Sequence, residues 1–391
     1  MATRIALYSH DSVGLGHVRR NLAIAHQLSA SLPAATGEPV SGLLITGQPA
    51  ATVFPTPEGW DWLVVPGIEP AAGGYAPRRM GSGLGRVTGL RSAAIGSALA
   101  AFAPDLLVID RHPLGVAREL EPALDQLRRD RPGCAIVLGL RDVLDDAAAT
   151  AGEWARIGGA DAVRRRFDAV WVYGDRDVHD PVASGEIPAG LAGLVRSTGF
   201  LAHGRPVGRD RSPEEPFVLT TVGGGSDGVQ LALAAASAAV PTGHRHVVVT
   251  GPQMPAEDRA RVRAAAGPAV QVVTSVPDAL ALVRRAAAVI AMGGYNSVSE
   301  VMTTSTPALI VPRVLRRREQ AIRADALARR GLVDVLDPAR LDADAVGAWL
   351  AARVGEVVDR SGVDLDGLHR VGELAAALIH RSARKDLAHA V

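Results

Sequence analysis

Short apolar runs alternate with helical stretches along almost the whole chain. The runs at 5–8, 42–46, 62–65, 106–109, 135–140 and 169–173 read as strands. A second set follows at 217–221, 246–250, 270–273, 288–291, 308–311 and 332–335. Between them lie stretches such as 19–32, 115–129 and 229–239, with helical periodicity or high alanine content. Repeated strand–helix units of this kind predict an α/β chain whose parallel sheets are covered by helices on both faces.

With 391 residues the chain exceeds one ordinary core. The stretch GFLAHGRPVGRDRSPEEP, 199–216, is polar and rich in glycine, proline and charge, and reads as a linker. It divides an N-terminal domain, 1–198, from a C-terminal domain, 217–391. Each half opens in the same order of strand, glycine loop and helix. Two Rossmann-like domains facing each other across a cleft are the simplest arrangement, with ligands beyond the carboxyl ends of the strands. In LDGLHRVGELAAALIH, 365–380, one helical face collects Leu365, Leu368, Val371, Leu374 and Leu378. That pattern predicts a docking helix that crosses back onto the first domain, with its last residues frayed.

Composition narrows the function classes. The chain is 48% hydrophobic but only 4% aromatic, which suits helices on parallel sheets and excludes a disordered chain. A net charge of +1 leaves no electrostatic footprint for nucleic acid. The single cysteine, Cys134 in CAIVLGL, reads as a buried thiol, so neither a disulfide framework nor a cysteine zinc site is expected. Polar Ser9-His10-Asp11 comes too early for a signal peptide, and no apolar run approaches transmembrane length. The expectation is a cytoplasmic protein, with peripheral contact at the inner membrane face left open and the oligomeric state unspecified.

Candidate chemistry lies in the loops. In SHDSVGLGHVRR, 9–20, Gly14 and Gly16 supply two glycines of a dinucleotide fingerprint. The third position is Arg19, and the second strand ends in Thr46-Gly47 without an acid for a ribose. The loop keeps a tight turn that sets His17 at a helix start, where the helix N-terminus favours a neutral imidazole. His17 is therefore a candidate general base, with His10 as the competitor and a capping or solvent-facing role as the plainer alternative. The second loop, TTVGGGSDG, offers Gly224, Gly225 and Ser226 as an anion site, with a merely tight turn as its alternative. Asp227 would repel phosphate, so it is expected to cap the helix or point away.

The third loop, MGGYNSVSEVM, has Gly293-Gly294 at a strand end and Ser297 to Glu300 at a helix start. Gly294 and Ser297 suit phosphate, and Glu300 suits the two hydroxyls of a ribose. A capping box with Ser297 is the other reading of Glu300. In ALIVPRVLRRREQAIRADAL the arginines 313 and 316–318 read mainly as a solvated run, while Glu319 and Gln320 begin a helix facing the cleft.

At these residues the chain resembles the GT-B glycosyltransferases of family 28, which contain the N-acetylglucosaminyltransferase of peptidoglycan synthesis. The resemblance is strongest over 293–327 and 9–20. It implies that Gly14, Gly16 and His17 form the acceptor-side loop and its base, and that Gly224, Gly225 and Ser226 touch the donor diphosphate. It likewise implies that Val276 reads the nucleobase through its backbone, that Ser297 contacts phosphate, that Glu300 binds ribose, and that Glu319 and Gln320 meet the donor sugar. Glu319 departs from the family's Gln-Gln pair, which puts N-acetylglucosamine as donor in doubt. On the acceptor side DRHPLG, LGLRDVLD and YGDRDVHDP have no counterpart there; each follows a strand, making Asp110, Arg141, Asp142, Tyr173 and Asp175 candidate cleft residues, some of them with a helix-capping role only. The segment 73–86, GGYAPRRMGSGLGR, reads as a mobile loop.

Together these imply transfer of a sugar from a UDP-sugar to a small-molecule, lipid-linked or natural-product acceptor, without metal or cofactor. A direct displacement would invert the anomeric carbon. A UDP-sugar 2-epimerase and a non-catalytic nucleotide-sugar-binding protein are the alternatives.

Overall fold

The computed structural model describes residues 2–10, 15–71, 74–205, 215–276, 278–313 and 317–389. Its first sheet holds β1 (Thr3–Tyr8), β2 (Val40–Thr46), β3 (Trp60–Val64), β6 (Leu106–Asp110), β7 (Ala135–Arg141), β8 (Ala169–Tyr173) and β9 (Val195–Ser197). A hairpin, β4 (Ile68–Ala71) with β5 (Gly74–Pro77), stands apart from it. The second sheet holds β10 (Phe217–Thr221), β11 (Arg245–Val249), β12 (Val270–Val273), β13 (Val289–Ala291), β14 (Ala308–Ile310) and β15 (Asp334–Val335). All neighbours within these two sheets are parallel.

The helices flanking the first sheet are α1 (Gly16–Thr36), α2 (Leu84–Phe102), α3 (Glu121–Asp130), α4 (Ala147–Arg156) and α5 (Gly159–Arg164). Those of the second are α6 (Val229–Ser237), α7 (Ala256–Ala265), α8 (Ala279–Arg285), α9 (Tyr295–Met302), α10 (Glu319–Arg329) and α11 (Ala343–Arg353), and a last helix, α12 (Gly367–His389), returns to the first half. The strand order is β3-β2-β1-β6-β7-β8-β9 in the first sheet and β12-β11-β10-β13-β14-β15 in the second. The order therefore reverses between β1 and β6, and again between β10 and β13. Each reversal leaves a crevice beyond the strand ends, where the two adjacent loops part.

The alternation of apolar runs reflects real burial. Ile5, Leu7, Val108 and Val137 have no exposed surface, and neither do Val248 and Ile290 in the second sheet. Helix α12 packs on α1 and reaches β6 and β7, so the end of the chain is part of the first half's core. Leu368 and Val371 are fully buried in that contact, and the helix runs to His389.

Two loop readings need correction. Within 73–86, Gly73 lies outside the described residues, but Gly74–Pro77 is a strand and α2 starts at Leu84. The hairpin is fastened by Arg78, which donates to the carbonyls of Gly47 and Ile68, and by a small core of Ile68, Val87 and Val116. Short β segments broken by Gly and Pro give too little periodicity to be read from sequence. Within 199–216, residues 206–214 lie outside the described residues, while Phe200, Leu201 and Ala202 are buried rather than linker-like. Phe200 takes a hydrogen bond from Gly367, and its own N–H donates to Asp364, which anchors the start of α12.

Because α12 closes the first core, Leu368→Ala should destabilise the protein by about 2–5 kcal/mol, the cost of a large cavity in a packed interior. A urea midpoint unchanged from wild type would show that this helix is not integral to the fold.

Candidate active site

In the first crevice, the loop after β1 leads into α1 and the loop after β6 begins at Asp110. The second residue of α1 is His17, and its Nδ1 lies 2.6 Å from Asp110 Oδ2. Arg20, one helical turn on, donates to both oxygens of the same carboxylate at 2.6 and 2.7 Å. A carboxylate only accepts, so Nδ1 carries the proton and Nε2 keeps its lone pair. Arg20 also lies 2.8 Å from His17 Nδ1, a close approach of two donors that share one acceptor.

Asp110 has no exposed surface, yet Arg20 and then His17 outweigh burial and hold its carboxyl well below the usual carboxylate range. Burial lowers the His17 pKa, with Asp110 opposing, so the imidazole is kept below its ordinary 6.5. The position of His17 at the start of α1 acts in the same direction as burial.

The DRHPLG motif supplies more than its aspartate. His112 Nα donates to the Asp110 carbonyl at 2.9 Å, closing a tight turn around Arg111, whose φ of 71° is strained for a non-glycine residue. This turn sets the His112 ring 4.1 Å from that of His10, which in turn meets His17 edge-on at 5.6 Å. From the hairpin, Tyr75 brings its hydroxyl within 3.4 Å of His10 Nε2. His10 Nδ1 is buried with no partner among the described residues. Burial, then the neighbouring His17, keep the His10 pKa well below 6.5; burial and His10 do the same for His112. Sequence reasoning missed Arg20, Tyr75 and His112; only the i, i+3 spacing of His17 and Arg20 hinted at one of them.

Gly14 lies outside the described residues, and Gly16 opens α1. Tyr173 ends β8 with no exposed surface, so it is a core residue rather than a cleft residue. Its ring lies 5.7 Å beneath the Arg20 guanidinium, and Tyr295 lies 5.5 Å away on the second half. Asp175 caps local backbone and accepts from Asp364, so it too is structural.

The second crevice collects the loops after β10, β13 and β14. Gly224, Gly225 and Ser226 precede α6, which begins only at Val229. A Cβ on Gly225 would meet Thr250 O at 2.1 Å, and one on Gly224 would meet Gln253 Oε1 at 2.6 Å, so the glycines let two loops nest. Asp227 does not cap the helix; it pairs with Arg313. Helix α9 starts at Tyr295, which puts Ser297 third and Glu300 in the second turn, and no side chain caps it. The capping-box reading of Glu300 is thereby excluded. Glu300 is buried and meets Arg19 at 3.3 Å and Arg205 at 3.5 Å. Val276 lies half-buried in the loop after β12.

Several predicted residues join the two halves instead of lining an open cleft. Arg141 pairs with Glu319 at 2.5 Å, and Asp142 takes Arg323 on both oxygens at 2.8 and 2.6 Å. Arg323 also donates to the Gly293 carbonyl at 2.9 Å, next to Gly294. Arg317 reaches Glu153 at 3.0 Å, and Asn296 donates to the Gly16 carbonyl at 3.2 Å. Burial opposes but Arg141 and Arg323 prevail, lowering the Glu319 pKa to about 2. Gln320 accepts from the Arg313 N–H at 2.9 Å.

Two parallel-sheet halves with facing crevices define a class, and the comparisons agree. The glycosyltransferase of kitacinnamycin superposes with a TM-score of 0.60 over 99% of both chains at 14% identity. MurG of Acinetobacter baumannii does so with a TM-score of 0.54, over 97% of this chain and 99% of that one, at 16% identity. The chain has the GT-B glycosyltransferase fold. Within that class, 205 residues are 33% identical to the UDP-N-acetylglucosamine--N-acetylmuramyl-(pentapeptide) pyrophosphoryl-undecaprenol N-acetylglucosamine transferase of Mesorhizobium japonicum, which bears out the resemblance to family 28. The match covers 51% of this chain and 52% of that protein, so the chain spans about half the length of the curated relative it matches. No family model matches the chain.

The lowered pKa values of His10, His17 and His112 predict an acid-sensitive fold. Above 6.5 the rings are neutral both folded and unfolded; below it the unfolded chain takes up protons that the folded one resists. Stability should therefore be complete above 6.5 and fall as pH drops below it, before Asp110 and Glu319 protonate. His10→Gln should make that fall shallower, read as urea midpoints; equal slopes in variant and wild type would contradict it.

Proposed function

We propose that the protein transfers a sugar from a UDP-sugar to an acceptor hydroxyl or amine, with His17 as general base. The observation that carries this reading is the 2.6 Å contact between His17 Nδ1 and buried Asp110 at the first crevice. Asp110 fixes the tautomer and stabilises the imidazolium that forms when Nε2 takes the acceptor's proton. The acceptor atom bonds to the anomeric carbon as the bond from that carbon to the β-phosphate oxygen breaks, and UDP leaves with the electron pair. One such displacement inverts the anomeric carbon.

In this scheme the loop of Gly224, Gly225 and Ser226 and the start of α9 at Gly294, near Ser297, meet the departing diphosphate. Glu300 is the ribose ligand in this scheme, Val276 the nucleobase contact, and Glu319 and Gln320 the sugar contacts. The reaction needs no metal in this scheme, because helix N-termini and arginines meet the diphosphate charge. The acceptor is a small or lipid-linked molecule. The proposed place of action is the cytoplasm or the inner membrane face; no helix among the described residues is long and apolar enough to cross a membrane.

His17→Ala and Asp110→Asn should each lower turnover by about a hundred- to ten-thousand-fold, followed as UDP release, with UDP affinity nearly unchanged. Intact turnover in His17→Ala would pass the role to His10. Glu300→Ala should weaken UDP far more than 2′,3′-dideoxy-UDP, and equal losses would remove Glu300 from the ribose site. Epimerised sugar formed from UDP-N-acetylglucosamine alone would replace transfer with epimerisation.

A further inference from the structure

Arg313 leaves the end of β14, yet its guanidinium pairs with Asp227 in the loop after β10, Nη1 to Oδ2 2.5 Å. β13 lies between those two strands, so the ion pair ties together loops from strands two places apart at the carboxyl ends of the second sheet. The loop that follows β13 is the Gly293-Gly294 turn. Nη2 also lies 3.8 Å from Glu319 Oε1, while Nε is buried without a partner among the described residues. The backbone of Arg313 is itself held by Gln320. Its reach thus touches the glycine loop and both residues assigned to the donor sugar.

Electrostatics make this arrangement informative. The glycine loop that would meet a diphosphate carries Asp227, whose charge would repel it. Arg313 cancels that charge. Both side chains remain about 30% exposed, so solvent screens their attraction and the pair opens at little cost. A diphosphate offers the guanidinium more charge and a bidentate geometry.

We propose that Arg313 is the cation that binds the donor diphosphate, and that Asp227 holds its guanidinium over the crevice until the phosphates replace the carboxylate. This rests on the donor site assigned above and adds a residue to it. A tie that merely joins two loops is the competing explanation.

Titrating UDP and uridine into the full-length protein separates the two. Arg313→Gln should weaken UDP about ten- to a hundred-fold and leave uridine within about two-fold, because uridine carries no phosphate. It should also reduce the salt dependence of UDP binding, which a structural tie would not alter. Asp227→Asn should tighten UDP, since nothing then competes for the guanidinium. Equal losses of UDP and uridine in Arg313→Gln, or weaker UDP binding in Asp227→Asn, would overturn the proposal. Unchanged UDP binding in Arg313→Gln would overturn it alone, whereas a wild-type chain that binds neither ligand would overturn the donor site as well.

Discussion

A carboxylate without exposed surface, Asp110, organises the first half of the molecule. It sits where the order of the first sheet reverses, so the loops after β1 and β6 diverge around it. An isolated buried charge would be costly, and Arg20 and His17 together neutralise it. Satisfying that charge fixes the start of α1, the tautomer of His17 and the packing of Arg20 between Tyr173 and Tyr295. The strained turn at Arg111 follows from the same point, because it swings the chain from Asp110 to His112 beside His10. Fold and chemistry share one anchor.

A second set of contacts joins the halves. Arg141 with Glu319 and Asp142 with Arg323 put residues of the β7 end against the start of α10. Asn296 and Glu300 meet Gly16 and Arg19 in the same way. Glu300 and Glu319, the proposed donor contacts, thus have arginine partners, and under that proposal a ribose or sugar would exchange with them. Under the same proposal that exchange would couple donor binding to the contact between the halves.

The sequence was most legible where burial imposes a period. Every strand inferred from apolar runs exists, with ends shifted by at most two residues, and the leucine stripe of 365–380 lies on the face of α12 that meets α1. His17, Asp110 and Glu300 could be singled out because they follow strands, and the sheet order explains why that position matters. The hairpin at β4 and β5 was illegible because four-residue strands set by Gly and Pro carry no usable alternation. The burial of Tyr173 was illegible because a strand-end aromatic gives no sign of facing the core, and the partners of Arg141 and Asp142 were illegible because pairing across two domains leaves no local pattern. The glycines of 223–225 looked like a phosphate cradle, but Gly225 is required first by the Thr250 carbonyl beside it.

The account turns on a neutral His17 whose proton is on Nδ1, held by Asp110. Nitrogen-15 NMR of the histidine side chains near pH 7, with His17→Gln used for assignment, reads both protonation and tautomer. A neutral ring protonated at Nδ1, titrating below 6.5, is the predicted result. An imidazolium at that pH, or a neutral ring protonated at Nε2, would leave no lone pair for the acceptor and would contradict the account.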